Sequence, residues 1–154
     1  MEVVKKILEE CDQLIIGIGS AQYSYTTDNP LTAGERLTMI SKALSEEKIP
    51  LDRYLIVHIP DIHNNSVWVS HVESICPEFD VVYTRNPLAL RLFREAGYKV
   101  EQQPLFDRHK YSGTEIRKRM LEGGNWEDLV PDGVAKVIKK VGGVERLKSV
   151  VEDD

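Results

Sequence analysis

Short apolar runs alternate with stretches of helical spacing along the whole chain, and this alternation limits the fold more than any other feature. Residues 14–18, LIIGI, read as a buried strand. So do 53–60, RYLIVHIP, and 79–84, FDVVYT, with a weaker fourth at 98–102, YKVEQ. Between them the apolar period changes to that of a helix. Val3, Val4, Ile7 and Leu8 predict a helix at the start, and Thr32 with Glu35 predicts a capping box opening a helix to about Glu47. NSVWVSHVESIC, 65–76, reads as helical, and LALRLFREAG predicts a helix ended by Gly97. Three short helices are expected at the end, over 114–121, 133–141 and 144–151. Continuous apolar strands separated by helices predict an α/β fold, a parallel sheet covered on both faces. The strand order cannot be read from the pattern.

In such folds ligands bind beyond the carboxyl ends of the strands, so the segments after each strand are where chemistry is expected. Gly19, Ser20, Ala21 and Gln22 follow the first. Their small side chains either let a ligand approach the backbone or simply make a tight turn. Arg36 comes in the first turn of the next helix. It is either an exposed surface arginine or, since a cation sits poorly at the positive end of a helix, one that shares an anion there. Asp61, Asn64, Asn65 and Trp68 follow the second strand. Asn65 and Trp68, three apart, put an amide and an indole on one helix face, where a flat ring could stack on one while the other reads its edge. A core tryptophan with a capping asparagine explains the same pair. Thr84, Arg85, Asn86 and Pro87 follow the third strand, and Asn86 can serve as a helix cap.

The most informative stretch is YSGTEIR, 111–117. Ser112 and Glu115 fit a capping box, which leaves Gly113 and Arg117 unexplained. A helix start offers free N–H groups and a favourable dipole to an anion. Ser112 and Thr114 add hydroxyls, and Arg117 can grip a phosphate through two donors. The reading is a phosphate site. His109 and Lys110 precede it and read as solvated; the other histidines, His58, His63 and His71, show no ligand-like clustering.

The 154 residues suffice for one domain with a real core. A net charge of −5 argues against a general nucleic-acid or membrane-surface binder. No apolar run reaches the roughly 18 residues of a membrane span. Cys11 and Cys76 have no metal-type spacing and read as reduced thiols of a cytoplasmic protein.

The segments IIGIGSAQ, NPLTAGERLTMI, DIHNNSVWVSHVES, FDVVYTRNPLALRLF, YSGTEIRKRM and WEDLVPDGVAKVIKKVGGVERLK occur in order over nearly the whole chain. Together they resemble the archaeal-type nicotinamide-nucleotide adenylyltransferases of the nucleotidylyltransferase superfamily. The resemblance implies a Rossmann-like, doubly wound parallel sheet with short C-terminal helices. It implies transfer of AMP from ATP to nicotinamide mononucleotide, with Mg2+, giving NAD and pyrophosphate in NAD biosynthesis, without a covalent intermediate. Asn65 and Trp68 would hold the nicotinamide ring. Arg36 and Arg117 would be the catalytic cations, holding ATP phosphates with Ser112 and Thr114. Gly19, Ser20 and Asn86 would line the nucleotide pocket, Asn86 on the mononucleotide side. No metal-binding side chains are implied, and a homo-oligomer, such as a hexamer, is.

Relatives carry a strand and a His-x-Gly-His motif that fall outside this sequence, so residues 1–154 read as one domain, N-terminally truncated by about 15 residues that include a central strand. Tyr25 stands where relatives often have histidine, and Arg85 where glycine is common. Two alternatives stay open: a nucleotide-binding remnant with impaired catalysis, and a nucleotidylyltransferase for another acceptor such as phosphopantetheine, which suits Asn65 and Trp68 less well.

Overall fold

A computed structural model describes residues 2–102 and 113–153. The alternation predicted from the sequence is present. Helix α1 (Glu2–Leu8) leads into strand β1 (Leu14–Gly19), α2 (Ala33–Glu46) and β2 (Tyr54–Ile59). Then come α3 (Trp68–Ile75), β3 (Val81–Tyr83), α4 (Pro87–Glu95) and β4 (Lys99–Glu101). Helices α5 (Gly113–Glu122), α6 (Asp132–Lys140) and α7 (Gly143–Asp153) complete the described chain. The capping box of α2 forms as expected: Thr32 Oγ1 accepts from the Glu35 N–H at 3.1 Å, and Glu35 Oε1 accepts from the Thr32 N–H at 2.9 Å. Gly97 ends α4 in the left-handed region, at φ 93°, where a side chain would be strained.

Two details differ from the sequence reading. The parallel sheet exists as two separate ladders, β1 with β2 and β3 with β4. Among the described residues β1 and β3 belong to different ladders. The segment predicted as one helix from Asn65 changes type at Trp68. Asn65–Val67 is a 3-10 turn, capped by Asn64 Oδ1 on the Ser66 N–H at 3.2 Å, and α3 begins directly after it. Val67 leaves α geometry at φ −118° and ψ 9°.

Packing divides into a helical layer and two anchored strand pairs. Ala43 of α2, Met120 of α5, Val134, Ala135 and Ile138 of α6, and Leu147 of α7 form the main buried cluster together with Trp126. On the other side Phe79, Phe93 and Tyr98 pack ring on ring, Phe79 stacked on Tyr98 at 4.9 Å, which fixes α4 against the β3–β4 pair. Arg53 closes the end of α1, donating to the carbonyls of Leu8, Cys11 and Asp12 at 2.9, 3.1 and 2.6 Å. Tyr83 links the two strand pairs by donating to Glu10 at 3.2 Å. Burial first, and that carboxylate second, push its hydroxyl pKa up to about 12. Cys11 and Cys76 are free thiols. No described helix is long and apolar enough to cross a membrane.

Candidate active site

The loops after β1 and β2 lie side by side because their strands pair in parallel and in register, Gly19 opposite Ile59. Side chains then sew them together. Ser20 Oγ donates to Asp61 Oδ2 at 2.6 Å. Gln22 uses its amide in both directions on the backbone of Asp61, donating to the carbonyl at 2.7 Å and accepting from the N–H at 2.9 Å. This continues the parallel ladder by one rung with a side chain. Tyr23 Oη and His63 Nε2 are 2.6 Å apart. Ser20 and His63 both hold left-handed backbone, at φ 49° and 53°, conformations that persist only where surroundings enforce them.

Arg36 lies above the same loop. Its Nε donates to the Thr32 carbonyl at 3.4 Å, Nη1 to Gly19 at 2.8 Å, and Nη2 to Ser20 at 3.1 Å and Tyr23 at 3.2 Å. Burial lowers the pKa of this guanidinium. The negative partner expected from the sequence is supplied in part by four carbonyl dipoles. Gly19 and Ser20 meet the guanidinium through their carbonyl oxygens, and an added Cβ on Gly19 would find open space.

A cavity of about 300 Å³ opens beyond β2 and β3. Asn65, Trp68 and Asn86, drawn from the segments that follow β2 and β3, all line it, with Asp61, His63 and Leu92. The turn Asn65–Val67 keeps Asn65 above Trp68, because positions three apart eclipse in a 3-10 turn. Trp68 is half-buried and forms a wall; the buried tryptophan is Trp126. His71 packs beside the indole at 5.5 Å and donates from Nε2 to the Pro60 carbonyl at 2.8 Å, which holds the ring in place. Asn86 caps α4, its Oδ1 accepting from Leu88 and Ala89 at 3.0 and 3.1 Å. Its Nδ2 takes no part in the cap. The cap and the cavity wall are thus the same residue.

A second cavity, also about 300 Å³, brings Arg36 and Arg117 to one lining with Gly113 and the apolar Met39, Ile116, Met120 and Val134. Arg117 folds back over the first turn of α5: a Cβ on Gly113 would stand 3.1 Å from its Nη1. A side chain at 113 would have to displace the tip of Arg117 by a few tenths of an ångström. Among the described residues Arg117 makes no hydrogen bond or ion pair. Thr114 is exposed on the first turn and stands off this lining. Ser112, His109 and Lys110 lie outside the described residues, so the capping box expected with Glu115 does too. Glu115 pairs with Arg119 at 3.2 Å.

Sequence reasoning gives no role to Asp61 or Arg146. In the sequence Asp61 reads only as a residue after the strand, and its bond to Ser20 spans 41 positions. Arg146 of α7 grips Glu35 through two bonds, at 2.5 and 3.0 Å, and lies over the Tyr25 ring at 4.2 Å. His58 Nδ1 is buried without a hydrogen-bond partner among the described residues. Among those residues no three acidic, histidine or cysteine side chains converge as metal ligands.

The sequence pattern of the cytidylyltransferase-like family matches residues 1–119. Proteins named nicotinamide-nucleotide adenylyltransferase are similar over almost the full chain. That of Methanosarcina mazei is 54% identical over 152 residues, 99% of this chain and 86% of its own. That of Archaeoglobus fulgidus is 52% identical over 152 residues, 97% of this chain and 87% of its own. A crystal structure of a bifunctional NMN adenylyltransferase/ADP ribose pyrophosphatase from Francisella tularensis, complexed with AMP and a manganese ion, superposes with a TM-score of 0.75 at 18% identity. It covers 96% of this chain, which spans 47% of that longer protein. At that identity the likeness speaks for the Rossmann-like fold.

Proposed function

This chain belongs to the cytidylyltransferase-like family, on the branch of the nicotinamide-nucleotide adenylyltransferases, and from that premise we propose that it transfers AMP from ATP to nicotinamide mononucleotide, giving NAD and pyrophosphate. The observation that carries the reading at residue level is the convergence of Asn65, Trp68 and Asn86 on one cavity. A nicotinamide ring stacks on Trp68. The Asn65 amide, which makes no hydrogen bond among the described residues, has the donor and acceptor needed to pair with a carboxamide. Asn86 offers Nδ2, its Oδ1 being held by the α4 cap.

In the chemical step an oxygen of the mononucleotide phosphate attacks the ATP α-phosphorus in line. A new P–O bond forms, the bridge from α- to β-phosphorus breaks, and pyrophosphate leaves with the electron pair. Such a reaction needs alignment and charge neutralisation, not a protein nucleophile. Arg117 and the N–H groups of the α5 first turn supply that charge; the hydroxyls of Ser112 and of Thr114, which stands off the cavity lining, would join only as the family resemblance implies. Arg36 acts through the loop of Gly19 and Ser20, which it shapes from above. Magnesium would enter with ATP, as part of the substrate, and would supply further neutralisation of the phosphate charge. The same reading carries a cytoplasmic homo-oligomer of one-domain subunits, which sedimentation of the purified protein checks.

Product trapping tests the function. ATP, magnesium and nicotinamide mononucleotide should yield NAD and pyrophosphate in equal amounts. Transfer to phosphopantetheine instead, or nucleotide binding with no product, would overturn the assignment.

A further inference from the structure

We propose that Asp61 determines ring specificity: its carboxylate is the counter-charge to the nicotinamide ring and discriminates against the ring that carries a carboxylate of its own. The inference rests on the function proposed above. The ring of nicotinamide mononucleotide is a pyridinium with a neutral carboxamide and so carries one positive charge. In the nicotinic acid mononucleotide the pyridinium charge is cancelled by the neighbouring carboxylate.

The cavity that holds Asn65, Trp68 and Asn86 is built for the first of these. Asp61 stands on its lining, and no lysine or arginine among the described residues does. An indole face attracts a flat cation further. Arg36 lines the other cavity and points its donors at the carbonyls of Gly19, Ser20 and Tyr23, and Arg85, next to Asn86 in sequence, is not on the lining.

The acid is also fixed in place. Ser20 Oγ holds Oδ2 at 2.6 Å, and Gln22 holds the Asp61 backbone from both sides at 2.7 and 2.9 Å. These bonds leave Oδ1 for the ligand. Swinging this carboxylate out to solvent when an anionic group enters would break its bond from Ser20. His63, the other titratable group on the lining, is tied to Tyr23 Oη at 2.6 Å. In a cavity of about 300 Å³ a ring carboxylate stands within roughly 8 Å of Asp61, where repulsion is worth on the order of tenfold in affinity.

The test uses the purified full chain and three proteins: the unmodified enzyme, Asp61→Asn, and His63→Gln. Binding of each mononucleotide is followed by quenching of tryptophan fluorescence, and kcat/KM is measured for both at saturating ATP and magnesium. The amide oxygen introduced by Asp61→Asn can still accept from Ser20, so the brace survives. The unmodified enzyme should favour nicotinamide mononucleotide, and Asp61→Asn should shrink that preference by about tenfold, while His63→Gln leaves it unchanged. Equal losses for both mononucleotides in Asp61→Asn, or a preference that moves only with His63→Gln, would overturn the assignment. If neither mononucleotide is turned over, the function proposed above fails. The binding titration then still decides this inference, which falls if the unmodified protein binds the two equally.

Discussion

The two arginines that share a cavity stand in opposite states. Arg36 directs Nε, Nη1 and Nη2 at four carbonyls of its own chain, whereas Arg117, beside Gly113 at the start of α5, meets no hydrogen-bond partner among the described residues. The region around Arg36 is closed on itself: strand register, the Gln22 rung, the Ser20–Asp61 bond and the guanidinium all hold one loop shape. Among the described residues nothing closes the start of α5, where Gly113 and the Arg117 cation line the same space. The family resemblance gives both arginines one job, holding ATP phosphates, and the contrast argues for two. One region holds geometry, and the other holds charge.

The comparison is broken or sharpened first at Arg117. Arg117→Ala should lower kcat/KM by roughly 10²–10³, about 3–4 kcal/mol, as removal of a charge-stabilising group does, with no change in melting temperature. Arg117→Lys should recover part of the loss, since it keeps charge but not the two-pronged grip. Arg36→Ala should behave differently, costing about 2–3 kcal/mol of stability as four carbonyls lose a charged donor, with activity falling alongside. If Arg36→Ala kept its melting temperature and lost only kcat, the division would be wrong and Arg36 would touch substrate directly. Next in size is Trp68→Ala. Loss of stacking, about 1–3 kcal/mol, should raise KM for nicotinamide mononucleotide and leave KM for ATP unchanged. Equal rises in both would remove Trp68 from the ring pocket.

This division also marks what the sequence could show. Asn65 and Trp68 were legible because three-residue spacing survives the exchange of an α turn for a 3-10 turn. Asn86 was legible because it follows a strand and precedes Pro87. The saturation of Arg36 was not, because its partners are backbone carbonyls, which every residue has. Asp61 escaped for a related reason: its partner Ser20 lies 41 positions away and is brought near only by the register of β1 on β2. The alternation of strands and helices was readable from apolar spacing. That the strands form two ladders was not, because pairing depends on which strand stands beside which, and spacing carries no such signal.

The smallest effect concerns how the closed region is anchored from outside. Glu35 closes the α2 capping box and also receives Arg146 from α7, 111 positions away. The pair is well shielded, with side-chain exposures of 12% for Arg146 and 18% for Glu35. The Arg146 hydrogen bonds hold the Glu35 pKa below its usual value, against an opposing push from burial. A carboxyl whose folded pKa is depressed stabilises the fold above its unfolded pKa, about 4.3 for glutamate. That contribution fades as pH falls from there through the folded value. At neutral pH Glu35→Gln should therefore cost about 1–2 kcal/mol, the usual worth of charge-assisted bonds that are not fully buried. Thermal melts of both proteins from pH 7 downward should start apart and converge below about pH 4.3 as the unmodified protein loses the charge. Parallel curves would show that the pair adds packing but no ionic linkage, and that the loop over Tyr25 and Arg36 is held by its own hydrogen bonds alone.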